Sequence, residues 1–215
     1  AAAHPGLHVL ATSRTPMPTA GHYPLRPLPL DDAARLFMAS VRRRGSVAVP
    51  SPDTARRICA YLDGLPLAVR IAADQLAGHS PDEVLSLVSR PETLLDLAAP
   101  ELPARQRTLR DSLLRTHRLC TWEERLLWAR CTVFPGSFGP ADALEVCADE
   151  RLPGGVLAAA FDGLVRHALI LPPEAHGTAF RMPGATRALG RQWLDRLGEE
   201  REFLRRCLAW SLREP

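Results

Sequence analysis

The stretch GLPLAVRIAADQLAG, from Gly64 to Gly78, reads as a turn that runs straight into a helix. Gly64 is the turn residue, and Pro66 stands at the helix entrance, where its fixed φ and missing N–H cost nothing. Upstream, SPDTARRICAYLD forms a second helix capped by Ser51 or Asp53, with Pro52 in its first turn, and the joint is Asp63-Gly64. Ile58, Tyr61 and Leu62 on one helix and Val69, Ile71, Ala72 and Leu76 on the other supply a shared core. That pairing makes the surrounding segment a helical bundle.

Outward from this pair the same signals repeat. LDDAARLFMASVRRR is a helix with Asp31 or Asp32 as cap and with Leu30, Ala33, Ala34, Leu36, Phe37 and Val41 on its apolar side. SPDEVLSLV is a short helix with a Ser80–Glu83 capping box, and the bundle ends near LAAPELPAR. From about Arg105, RTLRDSLLRTHRLC and TWEERLLWARCTVF form two helices divided at Thr121, which makes a capping box with Glu124. After the break FPGSFGP come helices ADALEVCADE and PGGVLAAAFDGLVRHAL. Two extended runs, ALILP and TAFRMP, then flank PEAHG as a hairpin tip, and one long final helix runs from Ala185 with a bend near Gly198. Helices followed by a hairpin describe a winged-helix arrangement. The expected fold is therefore mainly α: a helical bundle over 23–103, then a winged-helix domain with a small β-hairpin wing and a C-terminal helix over 104–215.

Ahead of the bundle, GLHVLATSR reads as a buried parallel strand whose carboxyl end carries small polar residues and Arg14. A lone buried strand cannot satisfy its ladder hydrogen bonds, so it either borrows a partner or is the last strand of another domain. TPMPTAGHYPLRPLPL, rich in proline, connects it to the bundle.

Composition excludes several classes. All 27 Lys+Arg residues are arginine, so a Walker A phosphate loop, which needs a lysine, is absent from these 215 residues. No apolar run approaches the roughly 20 residues of a membrane span, and the opening AAAHPGLHVLATSR lacks the basic leader of a secretory signal, so a cytoplasmic location is expected. The five cysteines are widely spaced and read as reduced core thiols, and no histidine pairs at ligand spacing on a helix, so no structural metal is predicted. A net charge of +3 is weak support for nucleic-acid binding.

Five segments in one order, LATSR, YPLRPLPLDDAARLF, CAYLDGLPLAVRIAA, RTLRDSLLRTHRLCTWEERLLWARCTVFPGSF and FRMPGATRALGRQWL, resemble the carboxyl-terminal part of the nucleotide-binding module of the signal-transducing ATPases with numerous domains, also called NB-ARC or NOD-like. The flavour is that of large bacterial transcriptional regulators. The resemblance covers nearly the whole chain and makes residues 1–22 the remnant of a P-loop core. It implies that Arg14 is the sensor arginine reaching the terminal phosphate of ATP, a task that suits a guanidinium fork. It also implies that Gly64, Leu65, Pro66 and Leu67 form the family's GLPL motif, with the Pro66 ring against adenine. At the family's Met-His-Asp position this chain has Met182-Pro183-Gly184, which offers no side-chain donor, so Arg187 or Arg181 is the candidate substitute for contacting phosphate.

The implied function is the regulatory part of an ATP/ADP-dependent switch that closes over nucleotide and controls self-association, with magnesium held by the P-loop core. Its partners would be that core, a downstream sensor domain and further copies of itself. Hinges are expected at LAAPELPAR and at Pro24 to Pro29. The alternative is a winged-helix module that docks DNA or protein without nucleotide. Its third helix offers only Arg166 and His167 among Ala, Leu and Val, which weighs against DNA reading. The Arg42–Arg44 run and the Arg205-Arg206 pair read as solvated faces. No nucleophile elbow or metal signature marks an enzyme acting on its own.

Overall fold

The computed structural model describes residues 25–45, 48–173 and 179–213. Among these residues the chain forms eleven α-helices: α1 (Leu30–Arg44), α2 (Pro52–Ala60), α3 (Pro66–Gln75), α4 (Pro81–Val88), α5 (Pro91–Asp96), α6 (Leu109–Leu119), α7 (Trp122–Cys131), α8 (Pro140–Cys147), α9 (Gly154–Arg166), α10 (Gly184–Arg196) and α11 (Glu200–Ser211). The mainly helical class expected from the sequence is what the structure shows. The strand GLHVLATSR and Arg14 lie outside the described residues.

Local signals set most helix starts. Ser51 accepts the Thr54 N–H at 3.1 Å, and Ser80 and Thr121 each form reciprocal capping boxes, with Glu83 and Glu124. The expected cap of α1 is corrected: Pro29 occupies the cap position without a side-chain bond, and Asp31 and Asp32 sit inside the first turn, where they still oppose the helix dipole. Helix α5, which the sequence pattern does not separate, begins at Pro91. The long final helix is two helices, because Gly198 takes φ 71° and ends α10 before α11 begins.

Helix α1 lays Phe37 and Val41 against α2 and α3, and α2 leans on α4. In the second half α7 is central. Its residues Leu126 to Cys131 are buried all round, so it carries no amphipathic period, and it packs on α9 and α10. Helix α10 touches α5 and α6 as well as α7, and together with the direct α5–α6 contact it joins the two halves. Trp128 donates Nε1–H to the Thr186 carbonyl at 3.0 Å, and Gly190 permits that approach: a Cβ there would lie 2.7 Å from both Trp128 Nε1 and Thr132 Cγ2.

A buried guanidinium ties α7 to the end of α8 and to α11. Arg130 donates to Cys147 O at 2.9 Å, Asp149 Oδ2 at 2.6 Å and Glu199 Oε2 at 3.0 Å, and its Cζ lies 4.3 Å from the Phe203 ring centroid. Every polar arm of the buried charge is thereby satisfied, the condition under which such a group is tolerated. Trp193 stacks on His117 with ring centroids 4.4 Å apart, and Trp210 meets Phe134 edge-on. The five cysteines are buried and free.

Extended pairing is sparse. Leu171 and Arg181 exchange both backbone hydrogen bonds, and Phe138 and Phe180 do the same. The pairing expected between ALILP and TAFRMP thus occurs at Leu171–Arg181, while residues 174–178 at the tip lie outside the described residues. Among the described residues these pairs are isolated antiparallel bridges.

Gly190→Ala is expected to lower stability by about 1–3 kcal/mol through overpacking, read as a shift in the urea midpoint. The Arg130 guanidinium holds the Asp149 carboxyl below the usual carboxylate range. A carboxyl with a depressed folded-state pKa adds stability that is present above its unfolded value and is lost as pH falls through the folded value. Stability should therefore drop in acid below about pH 4. Asp149→Asn should be less stable at neutral pH and show a flatter acid limb in denaturant titrations.

Candidate functional site

The corner that gathers the sequence-predicted residues is built from a turn with two successive left-handed residues. After α2, Asp63 takes φ 51° and Gly64 takes φ 64°. Asparagine and aspartate tolerate this region best among residues with a side chain. Gly64 has a further reason to be glycine: a Cβ would fall on the Leu28 carbonyl oxygen and 2.9 Å from Leu28 N. Leu28 N–H donates to Gly64 O at 2.8 Å, so the turn also anchors the proline-rich connector. Leu65 N–H bonds Leu62 O at 2.9 Å, and α3 starts at Pro66 with no side-chain cap. Leu65 and Leu67 pack partly against the core, whereas the Pro66 ring is exposed.

Asp63 points across to the second half of the molecule. Its Oδ2 accepts the Gly184 N–H at 2.7 Å and its Oδ1 accepts Arg181 Nη1 at 2.8 Å. Pro183 fills the cap position of α10 and has no acceptor side chain, so Asp63 caps that helix from a distance. The sequence identified Asp63 only as the joint between two helices. A cap-type residue directly before a turn glycine was the available signal, but its partner lies 121 positions away.

Arg187 and Arg181, the two candidates for a phosphate-contacting role, stand on either side of the same helix start. Arg187 donates to Phe134 O and, at 3.4 Å, to Gly136 O. Burial holds its pKa below the usual arginine value while the nearby Asp63 charge pulls the other way. Met182 and Pro183 are buried, which fits the lack of a side-chain donor at those positions. Below this corner Arg110 clamps α5 to α10: it donates to both Asp96 oxygens, at 2.5 and 2.8 Å, and to Gln192 Oε1 at 2.8 Å.

The structure thus brings Gly64 to Leu67 and Arg181 to Arg187 together through Asp63; Arg14 lies outside the described residues. A basin of about 250 Å³ lined by Arg44, Asp74, His79 and Glu101 lies elsewhere and touches none of these residues. Two expected solvated arginines are tethered: Arg44 pairs with Asp74, and Arg206 donates to Ala148 O at 2.9 Å. Helix α9 buries Leu157, Ala160, Phe161 and Leu164 and exposes Val156, Ala158, Ala159, Asp162 and Arg166. No helix of the described residues is long and apolar enough to cross a membrane.

No protein-family model matches the chain. It is similar to a protein of Mycobacterium tuberculosis named "Putative HTH-type transcriptional regulator", 31% identical over 205 residues, covering 92% of this chain and 23% of that protein. It is also similar to an "Uncharacterized protein" of Mycobacterium tuberculosis, 32% identical over 210 residues, covering 94% of this chain and 53% of that protein. Mycobacterium bovis has counterparts of both at the same identities. The chain therefore spans about a quarter of the named regulator and about half of the second relative.

Asp63→Ala should cost about 1–3 kcal/mol in denaturant unfolding, because it uncaps α10 and leaves Arg181 without its acceptor. Asp63→Asn keeps one acceptor and the tolerance of a left-handed φ, so its loss should be smaller.

Proposed function

We propose that this chain is the helical and winged-helix part of an ATP/ADP-dependent switch within a larger bacterial transcription regulator. The observation that carries the reading is the seating of the Gly64-Leu65-Pro66-Leu67 turn beside the start of α10, bridged by Asp63. Two motifs that the resemblance assigns to one nucleotide, far apart in sequence, meet at one corner of the fold. An exposed Pro66 ring next to that corner suits a contact with a planar base. The transcription-regulator context is supported by similarity to the longer mycobacterial protein of that name.

In this mechanism the chain supplies no catalytic group of its own. Gly64 to Leu67 would line the adenine side, Arg14 would reach the terminal phosphate, and Arg187 or Arg181 would answer the inner phosphates. The phosphate loop and the magnesium site would come from a P-loop core elsewhere in the longer protein. Nucleotide exchange would rotate the α10 side against the α3 side about LAAPELPAR, between α5 and α6, and free a surface for self-association. Arg187 now satisfies two carbonyls, so its use on phosphate would require the turn at Phe134 to Gly136 to give it up.

The second reading, a DNA-docking winged helix, is favoured by the HTH in the relative's name. The exposed side of α9 argues against it, since one arginine stands there beside Asp162 among alanines and a valine.

Calorimetric titration of ADP and of ATP with Mg²⁺ into a longer protein carrying this chain behind its phosphate-loop region tests the proposal. Binding is expected, weakened about tenfold or more by Pro66→Ala or Arg14→Ala. A folded longer protein that binds neither nucleotide would reduce the resemblance to one of fold.

A further inference from the structure

A second cluster, remote in sequence from the GLPL turn, gathers three metal-ligating side chains that no motif joins. Cys120 ends α6, Glu124 sits in the first turn of α7, and His167 follows the last residue of α9. Their ligand atoms all lie within 4.8 Å of one another. We propose that Cys120, Glu124 and His167 form a three-ligand Zn²⁺ site that fastens the end of α9 to the α6–α7 turn.

The donor set is thiol, carboxylate and imidazole, the mixture that Zn²⁺ accepts and that Mg²⁺ and Ca²⁺ do not. With Zn–S about 2.3 Å and Zn–N and Zn–O about 2.0–2.1 Å, tetrahedral ligand atoms stand about 3.3–3.6 Å apart. His167 Nε2 is already 3.6 Å from Glu124 Oε2, too long for a hydrogen bond and the right span for two ligands of one ion. The imidazole turns Nε2 toward the carboxylate and its side chain is 91% buried, while the other nitrogen, Nδ1, is enclosed without a hydrogen bond and stays outside the ligand set.

The surroundings are shaped for this carboxylate. A Cβ at Gly163 of α9 would lie 2.6 Å from Glu124 Cδ, so glycine is the residue that lets α9 close over Glu124. Glu124 Oε2 also accepts the Thr121 N–H at 2.8 Å, which fixes the carboxylate's direction as outer hydrogen bonds do in metal sites. The Cys120 thiol donates to Thr116 O at 3.3 Å, and burial beside Glu124 pushes its pKa up to about 12, so it carries its proton when no metal is bound. Binding then exchanges charge in balance: the S–H bond breaks, one proton leaves to solvent, a Zn–S bond forms, and Glu124 and His167 donate lone pairs.

The test uses the tag-free chain under reducing conditions. Zn²⁺ competition against a chromophoric chelator should give one site per chain, and Co²⁺ should bring a thiolate-to-metal charge-transfer band in the near ultraviolet. Cys120→Ser and His167→Gln, each shown to be folded by circular dichroism, should weaken binding by about a hundredfold or more, and Cys120→Ser should abolish the band. Zn²⁺ should raise the melting temperature of the native chain and not that of Cys120→Ser. Gly163→Ala, which displaces the carboxylate, should weaken binding as well. No stoichiometric binding, or equal affinity in Cys120→Ser, would overturn the site. The chelator assay involves no nucleotide, so it succeeds or fails independently of the switch reading.

Discussion

Two consecutive left-handed residues, Asp63 and Gly64, hold the molecule's parts in register. The backbone must reverse between α2 and α3 within a few residues, and that reversal points the Gly64 carbonyl at the connector and the Asp63 carboxylate at α10. Both requirements fall on one turn. Glycine is demanded by contact with the Leu28 backbone, and aspartate by the uncapped start of a helix that proline cannot cap. Replacing either residue would loosen the connector or the junction between halves before it touched the core of either.

Two charged centres of the fold differ in what they permit. Arg130 is fully buried and satisfied by two carboxylates and a carbonyl, so breaking it would strand charges in the interior. The Asp63–Arg181 pair has a half-exposed arginine and an aspartate that water can reach. Pairs of this kind are worth roughly 0–1 kcal/mol. The Asp63 cap and pair are one tie of that junction, which also rests on the packing of α10 against α5 and α6 and on Arg110 bound to Asp96 and Gln192. A ligand would shift this junction only by its differential affinity for two arrangements.

Helices were legible where the signal was local. Ser80, Thr121 and Ser51 each begin a helix at the residue their chemistry indicates, and Pro66 does so by its ring. Helix α1 misled because two aspartates after a proline look like caps, yet the proline's own geometry already starts the helix and the acids fall in the first turn. The break at Gly198 reads from the sequence as a bend, since one glycine in a helical pattern does not reveal whether its φ turns positive. The candidate corner was half legible: Gly64 to Leu67 and Arg187 stood out, but the Asp63–Gly184 bond depends on chain separation that no local pattern encodes. The Cys120, Glu124 and His167 cluster was hidden for the same reason, because the histidine arrives from the far end of α9.

The all-arginine cation content has in part a structural account. Helix C-termini leave carbonyls without partners, and arginines answer them repeatedly here. Arg125 donates to His117 O and Arg118 O at the end of α6, Arg130 to Cys147 O and Arg206 to Ala148 O at the end of α8, and Arg187 to Phe134 O and Gly136 O beyond α7. A guanidinium presents several donors in a fixed plane, so one side chain can serve a carbonyl and a carboxylate together, as Arg130 and Arg206 do. A lysine ammonium, a compact and strongly hydrated point charge, would lose more on burial at such places. Four of the 27 arginines, Arg125, Arg130, Arg187 and Arg206, are thereby committed as donors to the fold's own carbonyls, and a partner could use those donors only by displacing these bonds.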